Sequence, residues 1–223
     1  MYQTLSRSEL FSGLDAGAVE ALLEPCDKEL RNHAGGDVIA LQGSRYNHLL
    51  LLVEGNVRAE SGEVGEKRTH VEQIVAPAMI APSFLYARDG ALPATLIARN
   101  AVTVLSMPRE AFSGLLAADR RVMENFLQVV STANKFVSEK VVYLTYKTIK
   151  GRLANYLLTL VDEQGANQVV NPLTQREMAA IFSVTRPALA RALGELAAEG
   201  TIYVRNKNIT VLFAEKLRQY TRK

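Results

Sequence analysis

The period of the apolar residues changes twice along the chain. Over residues 6–24, Leu10, Leu14, Val19, Leu22 and Leu23 recur at helical spacing and predict one or two short helices. From about 28 to 107 the texture becomes short β-rich runs (DVIAL, HLLLLVEG, NVRAES, HVEQIV, ATLIA, VTVLSM) punctuated by Gly35-Gly36, Gly43, Gly55, Gly62, Gly65 and Gly90. Short strands between turn glycines predict a sandwich or a barrel-like roll, with SGEVGEK as a hairpin turn. Residues 109–163 then read as helix with a break. Met123, Phe126, Val130, Ala133, Val137, Lys140 and Leu144 alternate at three and four, a heptad-like row that Val122, Val129, Phe136 and Val141 widen. Such a stripe predicts a dimerisation helix. A long helix packed only within its own chain is the competing reading, and Lys140 weakens the seam. A second helix runs from about 148 to 162 and stops at Gln164-Gly165, after which NQVVNPL reads as a short strand or loop.

The C-terminal pattern is more specific. Thr174 to Glu177, TQRE, fits a capping box opening a helix of one to two turns, REMAAIF. Ser183-Val184 interrupts it, and Thr185 caps a second helix, TRPALARALGEL, that ends at Gly200, where a left-handed cap favours glycine. Two short helices joined by a tight turn predict a helix-turn-helix. Pro187 falls in the first turn of the second helix, where a missing N–H costs nothing. Arg186 and Arg191 are the long side chains near that exposed start, the part of such a helix that enters a major groove, where an arginine bonds guanine O6 and N7 together. Ala188 and Ala190 keep the helix slim. TIYVRNKNITVLF then reads as strand, turn and strand, a wing whose tip offers Arg205 and Lys207 to phosphates. Lys216, Arg218, Arg222 and Lys223 read as solvated surface charge.

Charge agrees with this division. Residues 1–139 carry 13 Lys+Arg against 17 Asp+Glu, and residues 140–223 carry 13 against 6, so the basic excess lies with the second part and predicts an anionic partner there. An apolar content of 48% suffices for packed cores. The one cysteine, Cys26, excludes an intrachain disulfide framework and an iron–sulfur cluster held by this chain's cysteines alone. The N-terminus lacks a signal-peptide pattern, and the longest apolar run, LLLLV at 49–53, is too short to span a membrane, which makes a cytoplasmic protein the expectation. No HExxH, GxSxG, P-loop or paired catalytic carboxylates occur, so an enzyme is not expected.

Taken together, these stretches resemble the Crp–Fnr family of bacterial transcription regulators over nearly the whole chain. EKVVYLTYKTIKGRLANYLLTL is similar to the end of the family's long dimer helix, its hinge and its first DNA-domain helix. LTQREMAAIFSVTRPALARALGELAAEGTI is similar to its helix-turn-helix signature. GGDVIALQGSRYNHLLLLVEGNVRAES resembles its β-roll. The resemblance implies an α+β fold with an N-terminal double-stranded β-helix (β-roll, jelly-roll) effector domain over 1–118, a dimerisation helix over 119–145 and a winged helix-turn-helix over 146–223. It implies a homodimer on a palindromic site in double-stranded DNA, with RNA polymerase a further candidate partner. It also implies allosteric control through the dimer helix and a hinge near Thr145–Thr148. Thr185, Arg186, Pro187, Ala190 and Arg191 fall at the reading helix, and Thr174, Gln175 and Arg176 at the family's phosphate contacts. Pro187 stands where the family often carries a cytosine-reading acid, so a half-site other than the TGTGA of the cyclic-AMP-binding members is expected. The family's Gly-Glu and Arg-Ser pairs, which hold ribose and cyclic phosphate, align with Ala81-Pro82 and Pro93-Ala94 here. The expected effector pocket is therefore Ala81, Pro82, Ser83, Phe84, Pro93 and Ala94, without carboxylate or cation; Arg88 and Arg99 are nearby cations at the wrong spacing. Cyclic AMP is not expected to bind in the usual way, and the effector is left unidentified. Two alternatives stand beside this: a ligand-binding or interaction protein with a degenerate DNA reader, and a haem- or nitric-oxide-sensing member with axial ligands from among His33, His48, His70, Met79 and Met107.

Overall fold

The computed structural model describes residues 1–61 and 70–221; residues 62–67 of the expected SGEVGEK turn, like Arg222 and Lys223, lie outside them. The chain divides into two compact units, Met1–Ala133 and Asn134–Lys223.

The first unit opens with α1 (Tyr2–Leu5), a 3-10 turn at Glu9–Phe11 and α2 (Ala16–Leu23), which Asp15 caps by accepting from the Ala18 N–H at 2.8 Å. Eight strands follow: β1 (Glu29–His33), β2 (Val38–Ala40), β3 (His48–Glu54), β4 (Asn56–Ser61), β5 (His70–Val75), β6 (Ala78–Ile80), β7 (Thr95–Ala98) and β8 (Val102–Pro108). They form two antiparallel four-stranded sheets, β1-β8-β3-β6 and β2-β7-β4-β5. β3 is buried continuously from Leu49 to Val53, which explains its unbroken apolar run. Two strands, β1 and β6, are not among the sequence-predicted runs. ELRNH in β1 shows no apolar alternation because it is an almost fully exposed edge, and β6 is three residues long. Between β3 and β4, Gly55 sits at φ +89°, where an added Cβ would stand 2.5 Å from the Ala101 carbonyl oxygen and 2.7 Å from Val102 Cγ1.

α3 (Arg109–Ala118) and α4 (Arg120–Leu144) are separated by Asp119 alone, whose carboxylate accepts from the Arg121 and Val122 N–H groups at 2.8 and 3.2 Å. The helical stretch therefore breaks twice, here and after Leu144. The heptad-like row read from the sequence also needs correction. Phe126 is buried in the first unit, edge-on to Phe112 at 5.1 Å and to Tyr86 at 6.0 Å, with Val122 fully buried one turn before it. These two side chains fix the rotation of α4. The apolar residues it leaves exposed include Met123, Leu127, Phe136, Val137, Val141, Val142 and Leu144, so of the expected row Phe126 is taken up by the core of its own chain, whereas Ala133 is exposed.

In the second unit, Thr148 caps α5 (Ile149–Gln164) by accepting from the Gly151 N–H at 2.9 Å. β9 (Gln168–Val170), α6 (Gln175–Ile181), α7 (Arg186–Ala198), β10 (Ile202–Arg205), β11 (Asn208–Val211) and α8 (Ala214–Tyr220) follow, with a small antiparallel sheet in the order β10-β11-β9. Its core holds Leu153, Leu157, Met178, Phe182, Leu189, Leu196, Ile202, Ile209 and Leu217. Gly200 after α7 adopts φ +67°, the left-handed cap expected there, and Ser183, between α6 and α7, adopts φ +54° without being glycine. Among the described residues, no helix is long and apolar enough to cross a membrane.

Two substitutions test these backbone assignments by chemical or thermal unfolding. Gly55→Ala is expected to destabilise the first unit by more than ~1 kcal/mol, since it adds both strain and a backbone collision. Ser183→Gly is expected to stabilise the second unit by roughly 0.5–1 kcal/mol, because relief of left-handed strain exceeds the entropy glycine adds to the unfolded chain.

Candidate nucleic-acid interface and effector pocket

The two helices α6 and α7 are held by local chemistry that the sequence announces. The Thr174 hydroxyl accepts from the Glu177 N–H at 3.3 Å, and the Glu177 carboxylate accepts from the Thr174 N–H at 2.6 Å, completing the capping box. Those bonds hold the Glu177 carboxyl below its ordinary range, the Thr174 backbone N–H contributing most and Lys207 adding its charge. The turn closes when the Val184 N–H bonds the Ala179 carbonyl at 2.9 Å, and Thr185 then caps α7 by accepting from the Ala188 N–H at 3.4 Å. Pro187 occupies the first turn of α7 and breaks no hydrogen bond there.

Leu189, Ala192, Leu193 and Leu196 of α7 are buried. Arg186, Pro187, Ala190, Arg191 and Gly194 are exposed and recur at i, i+1, i+4, i+5 and i+8, one continuous stripe. Gly194 extends the stripe beyond the residues singled out from the sequence, and nothing lies within 4 Å of where its Cβ would be. Besides its two arginines the stripe thus carries only proline, alanine and glycine, a low surface that lets another backbone or a base edge come close.

Thr174, Gln175, Arg176, Thr185, Arg205 and Lys207 are exposed as well. The β10–β11 hairpin pairs Arg205 with Asn208 and turns through Asn206 at φ +57°. Its tip is tied to the segment before α6 by the Asn171 N–H, which donates to the Lys207 carbonyl at 2.8 Å. One hydrogen bond therefore brings the wing tip to the start of α6.

The ion pairs of this unit lie elsewhere. Lys150 reaches Glu195 and Glu199, each at 2.8 Å, and Arg218 pairs with Glu215. Among the described residues, Arg176, Arg186, Arg191, Arg205 and Lys207 make no salt bridge within the chain. Glu195, Glu199 and Glu215 thus pair with cations on α5 and α8 rather than with the arginines of α6, α7 and the wing. The helix pair is seated by Arg152, whose guanidinium donates to the Tyr146 carbonyl at 3.0 Å and the Phe182 carbonyl at 2.5 Å. Phe182 meets Tyr143 and Tyr156 edge-on at 4.9 and 5.8 Å, and the Tyr156 hydroxyl donates to Asn171 Oδ1 at 2.5 Å. Burial pushes the Tyr143 phenol up to about 12.

The first unit contains a cavity of about 570 Å³. Of the six pocket residues expected from the sequence, Ala81, Pro82, Phe84, Pro93 and Ala94 line it, and Ser83 is exposed outside the lining. The sequence reading missed the walls given by Leu92 and by Ala59, Ile74, Met79, Ile80 and Leu96, the last five being strand positions whose facing depends on sheet register. Among the described residues, no Lys, Arg or His lines the cavity; Glu72 is its single charged side chain, beside Gln73 and Ser61. Ala81 sits at φ +49°, ψ +43°, a left-handed backbone, and leads into a 3-10 turn, Pro82–Phe84, whose first residue has no N–H to offer an anion. Arg88 and Arg99 are exposed and outside the lining. The described candidate axial ligands stand on several elements. Met79 lines the cavity, Met107 is fully buried opposite Leu49 on the neighbouring strand, His33 lies on β1, and His48 Nδ1 is 2.8 Å from Asn47 Oδ1. The His70 side chain lies outside the described residues. Among the described residues, no group of three His, Cys, Asp or Glu could hold a metal ion.

Comparison with known proteins agrees with both halves. Residues 30–119 match the cyclic nucleotide-binding domain family, and residues 151–220 match the Crp-like helix-turn-helix domain family. The chain is 24% identical over 230 residues to a CRP-like cAMP-activated global transcriptional regulator of Mycobacterium tuberculosis, covering 100% of both chains. A solved transcriptional regulator of Thermotoga maritima is 30% identical, with a TM-score of 0.53 over 56% of this chain and 96% of that one. The catabolite activator protein of Thermus thermophilus shares the fold at 21% identity, with a TM-score of 0.55 over 96% of this chain and 98% of that one. With an α+β fold of β-roll and winged helix-turn-helix, the chain belongs to the Crp–Fnr family of transcription regulators, which is not a class of enzymes.

Proposed function

We propose that the protein is a cytoplasmic homodimer that reads a palindromic DNA site through the exposed stripe of α7, under the control of an effector in the first unit that is not cyclic AMP. The observation that carries the DNA reading is the pair Arg186 and Arg191, exposed on a capped helix start and unpaired within the chain. Each guanidinium can bond a guanine edge in two places, and Ala190 and Gly194 admit the helix to the groove. Thr174, Gln175 and Arg176 at the start of α6, with Arg205 and Lys207 at the wing, hold phosphates and set the register. Pro187 cannot accept from a cytosine amino group, so the half-site differs from TGTGA. In a dimeric reader the two half-sites are centred about one helical turn, ~34 Å, apart.

The Mycobacterium tuberculosis relative is described as activated by cAMP. That property is not carried over, because the described walls of this cavity are apolar apart from Glu72, Gln73 and Ser61. A cyclic phosphate here would lose its hydration and find no cation among the described walls. An uncharged, largely apolar molecule suits such walls.

Selection of bound duplexes from a random pool is expected to return a two-fold symmetric motif without TGTGA repeats; recovery of TGTGA repeats overturns the half-site reading. Arg186→Ala is expected to cost ~1–3 kcal/mol on the selected site and to relax one base position. Lys207→Ala is expected to weaken all sequences alike and to lower the salt slope by about one. Identical sequence profiles from the two variants would refute these roles, and no salt-dependent DNA binding would favour a degenerate reader. Calorimetry is expected to show no saturable binding of cyclic AMP; a micromolar isotherm sinks that part of the proposal.

A further inference from the structure

We infer that Asn134 sets the register in which α4 pairs, in parallel, with α4 of a second copy of this chain. The inference rests on the homodimer proposed above and names the residue that makes the pairing unique.

With Val122 and Phe126 turned into the core of their own chain, a row of α4 runs through Met123, Leu127, Val130, Asn134, Val137, Val141 and Leu144, exposed except at Val130, which is half-buried against that core. The spacing is 4-3-4-3-4-3, an uninterrupted heptad seam over 22 residues, ~32 Å of helix. Met123, Leu127, Val137, Val141 and Leu144 are between 38% and 59% exposed, so the row is open in the single chain. Phe136 and Val142 are also exposed but lie off the seam; spacing rather than exposure defines it. Leu127, Asn134 and Val141 take the a positions, and Met123, Val130, Val137 and Leu144 the d positions.

Charge points to a second copy as the occupant. No charged residue stands on the row. Its borders carry Glu124, Ser131 and Ser138 on one side and Phe126, Ala133 and Lys140 on the other. In a parallel, in-register pair, Ala133 meets Ser138 and Lys140 meets Thr145, so from Ala133 onward identical faces join without opposing like charges.

Asn134 is the one polar residue of the seam. Among the described residues, its amide makes no hydrogen bond within the chain. Buried among Val and Leu side chains it is costly unless bonded, and the natural partner is Asn134 of the other copy, met when the two helices are in register. A shift by one heptad sets Asn134 against Leu127 or Val141 and leaves the amide unsatisfied. A single asparagine at an a position selects register and two-stranded assembly at some cost in affinity.

Single-cysteine variants of the full chain in a Cys26→Ser background test this. Under mild oxidation, Asn134→Cys and Val141→Cys are expected to trap covalent dimers, since a-position Cα atoms of a parallel pair lie within disulfide reach. Lys135→Cys, one step round the helix, is expected to stay monomeric on denaturing gels. Linking at 134 but not at 141 means an antiparallel pair and overturns the inference, as does equal linking from 135. Asn134→Leu is expected to tighten self-association by about tenfold or more and to add species heavier than the dimer in light scattering; an unchanged, strictly dimeric variant overturns the register role. A wild-type chain that is monomeric at micromolar concentration fails the homodimer reading and this inference together, whereas a dimer without the 134 link fails the inference alone.

Discussion

The reader depends on burying one stripe of α7. Leu189, Ala192, Leu193 and Leu196 fill the second unit's core together with Leu153 and Leu157 of α5, and seating them leaves no choice about the opposite side. At 3.6 residues per turn, Arg186, Pro187, Ala190 and Arg191 must then face outward. Arg152 completes the seat by binding the carbonyls of Tyr146 and Phe182, which fastens the end of α6 to the segment preceding α5. A guanidinium suits this task because its planar fork satisfies two carbonyls at once with little further loss of freedom.

Charge is distributed by the same logic. An arginine on a surface is a candidate for DNA only if the chain has not already neutralised it. Glu195 stands on α7 itself, yet with Glu199 it turns to Lys150, and Glu215 takes Arg218. Exposed pairs of this kind stabilise little. Their consequence here is electrostatic: Glu195, Glu199 and Glu215 are drawn off toward α5 and α8, and the arginines in the first turns of α7 keep their positive charge.

The cavity in the first unit follows from what its turn lacks. A phosphate cradle needs backbone N–H groups and a cation. At Ala81-Pro82 the backbone still makes a left-handed turn, but proline removes a donor, and the described walls supply no positive charge. The shape of a ligand site remains, while its described walls are apolar apart from Glu72, Gln73 and Ser61. That separation is why the family match over residues 30–119 identifies the domain without identifying what it binds.

Much of this was legible in the linear sequence. Threonine caps, the glycine at 200, the proline tolerated at 187 and the basic wing depend on residues within a few positions of one another, and they located α6, α7 and the hairpin correctly. The repeated apolar runs announced most strands. What the sequence left undecided depended on distant neighbours. Apolar spacing on α4 allows more than one buried face, and Phe112 and Tyr86 draw Phe126 inward, out of the row in which the sequence placed it. The exposed edge β1, the short β6 and the cavity walls on β4, β5 and β7 likewise follow from strand pairing across the chain. A local pattern fixes which faces a segment can offer; the face it buries is decided by the partner against which it packs.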